Sequence, residues 1–270
     1  MTDITDIIVG INDFLVVIDT VPGFLFLSQN GGVNLMLKSV VNDDKYLLKR
    51  FFNAIEDVPA VNKIQHTYYY NDFVIPPVLV DHLLDKDTDE NMLEKIKKHL
   101  NETASWMERK GLLTIADMTF GHKIGTKYRI YNKENMRLIE QLSENYTIHM
   151  LGNCSRKSLD QLIDKDNSIY DHVKGNIVTS TDLSDLQCSQ TGRYDIYHKF
   201  MESYNIDPTK TLFIETQPGH IKALEQYSKY IGQPIRTILY QGGKNKKKFV
   251  SELSELLGID IDFQYIKNNK

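Results

Sequence analysis

From about Tyr131 onward the chain alternates short apolar runs with amphipathic stretches of helical length, and this alternation limits the fold more than any other feature. The stretch ENMRLIEQLSEN precedes YTIHML, SRKSLDQLID precedes GNIVTST, YDIYHKFMESYN precedes KTLFIE, and HIKALEQYSKY precedes IRTILY. Strands alternating with helices of about 10–15 residues indicate βαβ units and a parallel sheet, hence an α/β fold. In an open parallel sheet the ligand crevice lies outside the carboxyl ends of the strands. Three strand ends therefore become candidate chemistry. The run TLFIE stops at Glu215-Thr216 and turns through Gln217-Pro218-Gly219 into a helix starting near His220. The run YTIHML ends at Gly152-Asn153. A continuous apolar run over 12–19, the pattern of a buried parallel strand, ends at Asp19.

Between these parts the texture changes. Residues 33–57 suggest one or two helices, with Leu35, Leu37, Val40 and Val41 at helical spacing. Tyr68, Tyr69, Tyr70 and Phe73 make an aromatic patch that suits either a small hairpin or a recognition surface. Pro76-Pro77 then opens a stretch, VLVDHLLDKDTDENMLEKIKKHLNETASWMERKG, that reads as two helices. The expected organisation is a core of residues 1–23 plus 132–270, with a mainly helical insertion over 24–131.

Composition excludes several classes of function. A formal charge of −4 and a pI near 6.1 provide no electrostatic basis for binding nucleic acid or an anionic membrane. No apolar run approaches the roughly 20 residues that cross a bilayer. The opening MTDITDIIVGIND lacks the basic and apolar regions of a signal peptide, so a cytoplasmic location is expected. The two cysteines, Cys154 and Cys188, are not in a CxxC pattern, and the eight histidines show no HExxH spacing. Lys244, Lys246, Lys247 and Lys248 read as a solvated basic loop.

The three strand ends, with YNIDPTKTLFIETQPGHIKALEQ as the best-matching passage, resemble motifs I, II and IV of the haloacid-dehalogenase (HAD) superfamily. Within it, TFGHKIGTKYRIY, the Tyr197-to-Pro208 spacing and the terminal YQGGK resemble the enolase-phosphatases of methionine salvage. The resemblance implies a Rossmannoid parallel sheet with helices on both faces and an inserted cap. It also implies an aspartate nucleophile and Mg²⁺. Asp19 falls on the nucleophile, but Val21 occupies the general acid position, a role worth roughly 10²–10⁴ in rate. Gly152 occupies the place of the motif II hydroxyl, with Asn153 following and Ser155 as a substitute within reach along the chain. Thr191 occupies the motif III lysine position, with Arg193 and Lys199 as neighbouring bases. Glu215-Thr216 replaces the usual metal-binding pair, leaving Asp19 and Glu215 as a poor Mg²⁺ site. His220, at the motif IV turn, reads as a residue of the helix start, and Cys154 as a structural thiol.

Two functions follow from the resemblance. In the first, a protein with degraded motifs binds or regulates through its crevice or cap, needs no cofactor, and has a protein or a small phosphorylated molecule as partner. In the second, a divergent phosphatase uses Asp19 as nucleophile and Mg²⁺ as cofactor, acting on a small phosphorylated metabolite with help from Ser155, Arg193 or Lys199, and Glu215. The substitutions favour the first.

Overall fold

The computed structural model describes residues 3–11, 16–18, 45–62, 67–70, 73–120, 129–187, 193–240 and 245–268. Five parallel strands form the core sheet: β1 (Asp6–Gly10), β6 (Thr147–Gly152), β7 (Ile177–Thr179), β8 (Thr211–Glu215) and β9 (Arg236–Leu239), in the order β7-β6-β1-β8-β9. β1 is central. It is in register with β6 from Asp6↔Thr147 to Gly10↔Leu151, and with β8 from Asp6↔Thr211 to Val9↔Ile214. The chain thus adds strands on one side of β1, then crosses to the other, and the reversal places a crevice at the carboxyl end of β1.

Both faces of this sheet are buried, and the two-residue period of a strand decides which side chain meets which layer. Ile7, Val9, Ile148, Met150, Leu212 and Ile214 point to one apolar cluster. There they meet α5 (Lys133–Ser143), α6 (Arg156–Lys165), α11 (Lys246–Leu257) and α12 (Phe263–Asn268). Ile8, Leu151, Val178 and Phe213 point to the other cluster, covered by α9 (Asp195–Tyr204) and α10 (Pro218–Ile231). Side-chain caps set the helix starts: Asn132 accepts from the Asn135 amide (3.2 Å) and Ser155 from the Ser158 amide (3.1 Å). α10 starts at Pro218, whose missing N–H suits a first helical turn, and stops at Gly232 in the left-handed region (φ 68°). Two short helices, α7 (Ile169–His172) and α8 (Ser180–Leu183), complete the core.

A third apolar cluster belongs to the insertion. It joins α1 (Lys45–Ala54), α2 (Pro77–Leu83), α3 (Asp89–Thr103) and α4 (Trp106–Phe120) through Phe51, Leu79, Ile96 and Leu112. The stretch expected as two helices after Pro77 forms three, because Thr88 caps α3 and Ala104-Ser105 interrupts the helix before Trp106. Leu35, Leu37, Val40 and Val41 lie outside the described residues. The aromatic patch is a hairpin, β3 (Tyr69–Tyr70) with β4 (Phe73–Val74), and Tyr68 is buried beside it.

One reading needs correction. Of the run 12–19, the described residues 16–18 are not in the parallel sheet. They form β2 (Val16–Ile18), which pairs antiparallel with β5 (Arg129–Tyr131), joining the two ends of the insertion. The central strand is the apolar run just before, DIIVG. The two runs are of similar apolarity and are separated only by Asn12-Asp13, so pattern alone does not say which is central.

One lysine of the basic run departs from the solvated reading. Lys246 is buried at the start of α11, where its Nζ lies 2.7 Å from Glu134 Oε2. Burial pushes its amine below the usual lysine range, against the pull of Glu134. Among the described residues, no helix is long and apolar enough to cross a membrane.

Candidate functional site

At the carboxyl end of β1 the register sets Gly10 beside the end of β8, and the Ile11 amide donates to the Leu151 carbonyl (2.9 Å). Gly152, ending β6, is packed against that residue: a Cβ there would stand 2.7 Å from Ile11 Cβ. The glycine therefore allows a close approach, and there is no room for the motif II hydroxyl. Asn153 grips the next segment at two points. Its Nδ2 donates to the Gln187 carbonyl (2.9 Å) and its Oδ1 accepts from the Gln187 amide (2.6 Å).

On the other flank, Glu215 ends β8 and is buried. Its Oε1 accepts from Tyr197 Oη (2.9 Å) and Gln187 Nε2 (3.2 Å), and its Oε2 lies 3.0 Å from His220 Nδ1. The Tyr197 phenol is pushed well above its ordinary pKa by burial and by the neighbouring Glu215 charge. A carboxylate with this many donors is satisfied where it stands, and burial without them would be strongly unfavourable.

The other residues proposed from sequence are distributed as follows. Asp19 and Thr191 lie outside the described residues, and the strand preceding Asp19 belongs to the two-stranded pair, not to the parallel sheet. Ser155 is buried as the cap of α6 and donates to Ser158 Oγ (2.9 Å). Arg193 and Lys199 both turn to Asp185. Lys199 Nζ is 2.8 Å from Asp185 Oδ2, and Arg193 Nη2 is 4.0 Å from the same oxygen while its Nε bonds Asp195 (2.9 Å). Both bases thus face acids, Lys199 on Asp185 and Arg193 on Asp195 with Asp185 at longer range. His220, expected only as part of a helix start, is a direct partner of Glu215.

Mg²⁺ seeks several oxygen ligands in octahedral array. Among the described residues of these strand ends Glu215 is the only carboxylate, and both its oxygens are engaged. Among the described residues, no group of three His, Cys, Asp or Glu is placed to hold a metal ion. The residues described here do not fit a Mg²⁺ site.

Gln187, Tyr197 and Asp185 were not legible as site residues, because their partners lie far along the chain.

No family model and no curated protein matches the chain. Solved structures do. A HAD-family enzyme of Bacteroides thetaiotaomicron is 12% identical with a TM-score of 0.54, covering 94% of this chain and 98% of that one. A complex of that enzyme with magnesium and inorganic phosphate is also similar (13%, TM-score 0.52, covering 89% and 96%). A dehalogenase in an intermediate complex has a TM-score of 0.55 at 13% identity, covering 96% and 100%. A HAD-like family hydrolase of Porphyromonas gingivalis has 0.53 at 13%, covering 96% and 100%. At these identities the likeness is one of architecture, and the chain has a HAD-like fold: a five-stranded parallel sheet with an inserted helical cap.

Proposed function

We propose that this is a non-catalytic HAD-fold protein of the cytoplasm that acts by binding, with a protein or a small phosphorylated molecule as partner. The observations that carry this reading are Gly10 at the end of the central strand and the fully engaged Glu215 at the end of the neighbouring strand β8. On this reading Gly10 and Asn12 occupy the places where the HAD pattern expects the nucleophile and the general acid. A glycine cannot attack phosphorus, and an amide cannot protonate a leaving oxygen. Gly152 leaves no hydroxyl for the phosphoryl group. The described residues offer no metal-binding set to supply the electrostatic stabilisation that dominates phosphoryl transfer. An apolar cluster drawn, apart from Leu186, from residues 51–116 supports dividing the chain into a core of 1–23 plus 132–270 and a cap of 24–131.

The competing reading is an enolase-phosphatase-like enzyme with Asp19 as nucleophile. Hydrolysis of p-nitrophenyl phosphate in the presence of Mg²⁺ separates the two. We expect a rate far below the roughly 10 s⁻¹ of an ordinary enzyme. A robust rate that disappears in Asp19→Asn would refute the binding reading and establish the enzyme.

A further inference from the structure

Three consecutive core residues, Asp185-Leu186-Gln187, face three different environments. They follow α8, whose last turn closes at Ser184 in the left-handed region (φ 50°). The Asp185 carboxylate is buried. It accepts from Tyr68 Oη of the cap (3.1 Å), from the Leu186 amide (2.9 Å), and from Lys199 Nζ of the core (2.8 Å). Leu186 is 2% exposed and packs in the cap's apolar cluster, although it belongs in sequence to the core. Gln187 turns back, giving its amide to Glu215 and Tyr197 below the crevice (3.2 and 3.3 Å), while Asn153 holds its backbone. The Arg193 guanidinium lies 5.5 Å from the centre of the Tyr68 ring. A second seam runs alongside. Ser180 Oγ donates to the Leu83 carbonyl (2.7 Å), Thr181 Oγ1 lies 3.0 Å from Asp85 Oδ2, and the Arg156 amide donates to the same carboxylate (3.0 Å).

We propose that this tripeptide is a latch that keeps the cap docked, so that the cap and the crevice floor open only together. A cap free to swing needs an interface of small, polar and separable contacts. Here a leucine of one unit completes the core of the other, and its neighbours on both sides are tied by buried hydrogen bonds. Opening the cap withdraws Leu186 from its cluster, and movement of Leu186 disturbs Gln187 and with it Glu215. The latch does not depend on whether the crevice has lost catalysis.

Amide hydrogen exchange on the full chain tests it under conditions where exchange reports opening equilibria. Gln187→Ala removes its two side-chain contacts on the crevice side, to Glu215 and Tyr197, yet peptides covering residues 67–84 of the cap should exchange about fivefold faster, the factor for about 1 kcal/mol of net hydrogen bonding. Tyr68→Phe removes the cap's hydroxyl contact with Asp185 and leaves the crevice-side contacts of Gln187 in place, yet peptides covering 211–220 should quicken by a similar factor. Peptides covering 246–257, on the far side of the sheet, should stay unchanged in both. Quickening confined to the mutated side would overturn the latch, as would equal quickening in 246–257, which signals general loosening. If Gln187→Ala fails to fold, the milder Tyr68→Phe decides by the same criterion.

Discussion

The turns that follow β6 and β8 flank the same central strand, and they have been closed in opposite ways. After β6 the position that faces the crevice has no side chain, and the space is taken by Ile11 packed on Gly152. After β8 a carboxylate remains, and it is closed by hydrogen bonds from Tyr197, Gln187 and His220. One turn is sealed by volume, the other by valence. A reactive group needs spare coordination or spare space, and each turn has given up one of these. The comparison also shows that a retained acid says little by itself: Glu215 survives in the sequence, but its partners make it a structural group.

The sharpest way to break this comparison is to remove the acid. Glu215→Ala leaves the Tyr197 hydroxyl, the Gln187 amide and the His220 ring buried without their acceptor, and should destabilise the protein by about 3–5 kcal/mol in urea unfolding. A loss within experimental error would show that Glu215 is not structural and reopen its role as a ligand.

Next in size is the attempt to restore motif II. Gly152→Thr brings a Cβ to 2.7 Å from Ile11 Cβ, which is too close to a backbone-attached atom to be relieved by a rotamer change. Overpacking of this kind should lower stability by about 1–3 kcal/mol. An equally stable variant would mean that the turn after β6 is open, not sealed.

How much of this was legible in the sequence depends on how local the determining contacts are. The outer strands and their helices, from YTIHML to IRTILY, could be read because each apolar run and each amphipathic stretch carries its own period. Gly152 and Glu215 were rightly placed at strand ends for the same reason. The central strand was misplaced because FLVVI is as apolar as DIIVG, and only the pairing with β6 and β8 distinguishes them. The partners of Glu215 were beyond reach, since Gln187 sits in a loop with no periodicity and meets Glu215 only once the sheet has formed. Arg193 and Lys199 looked like bases near a phosphate site. Their common acid, Asp185, is a loop residue with nothing in its neighbourhood to single it out.

The smallest expected effect concerns pH. Burial and the neighbouring Asp185 push the Tyr68 phenol up to about 12. The folded state therefore favours the protonated phenol. Its contribution is complete below pH 10, the ordinary phenol value, and is lost as pH rises from there through about 12. Tyr68→Phe should lower stability by about 1 kcal/mol at neutral pH and flatten part of this alkaline decline. Parallel pH profiles for wild type and variant measured by thermal melting would contradict the assignment.

The position of β1 has a consequence for how the molecule comes into being. Of the strands of the core sheet this one is made before its neighbours, residues 147–151 and 211–214. Ile7, Ile8, Val9 and Ile11, all buried in the finished sheet, must therefore wait while most of the chain is synthesised. Pairings so distant in sequence make folding slow and leave apolar segments open to misassociation meanwhile. The cap faces no such delay, because apart from Leu186 its apolar cluster is drawn from residues 51–116. The inserted unit can therefore close on contacts of its own while β1 still waits for partners made much later.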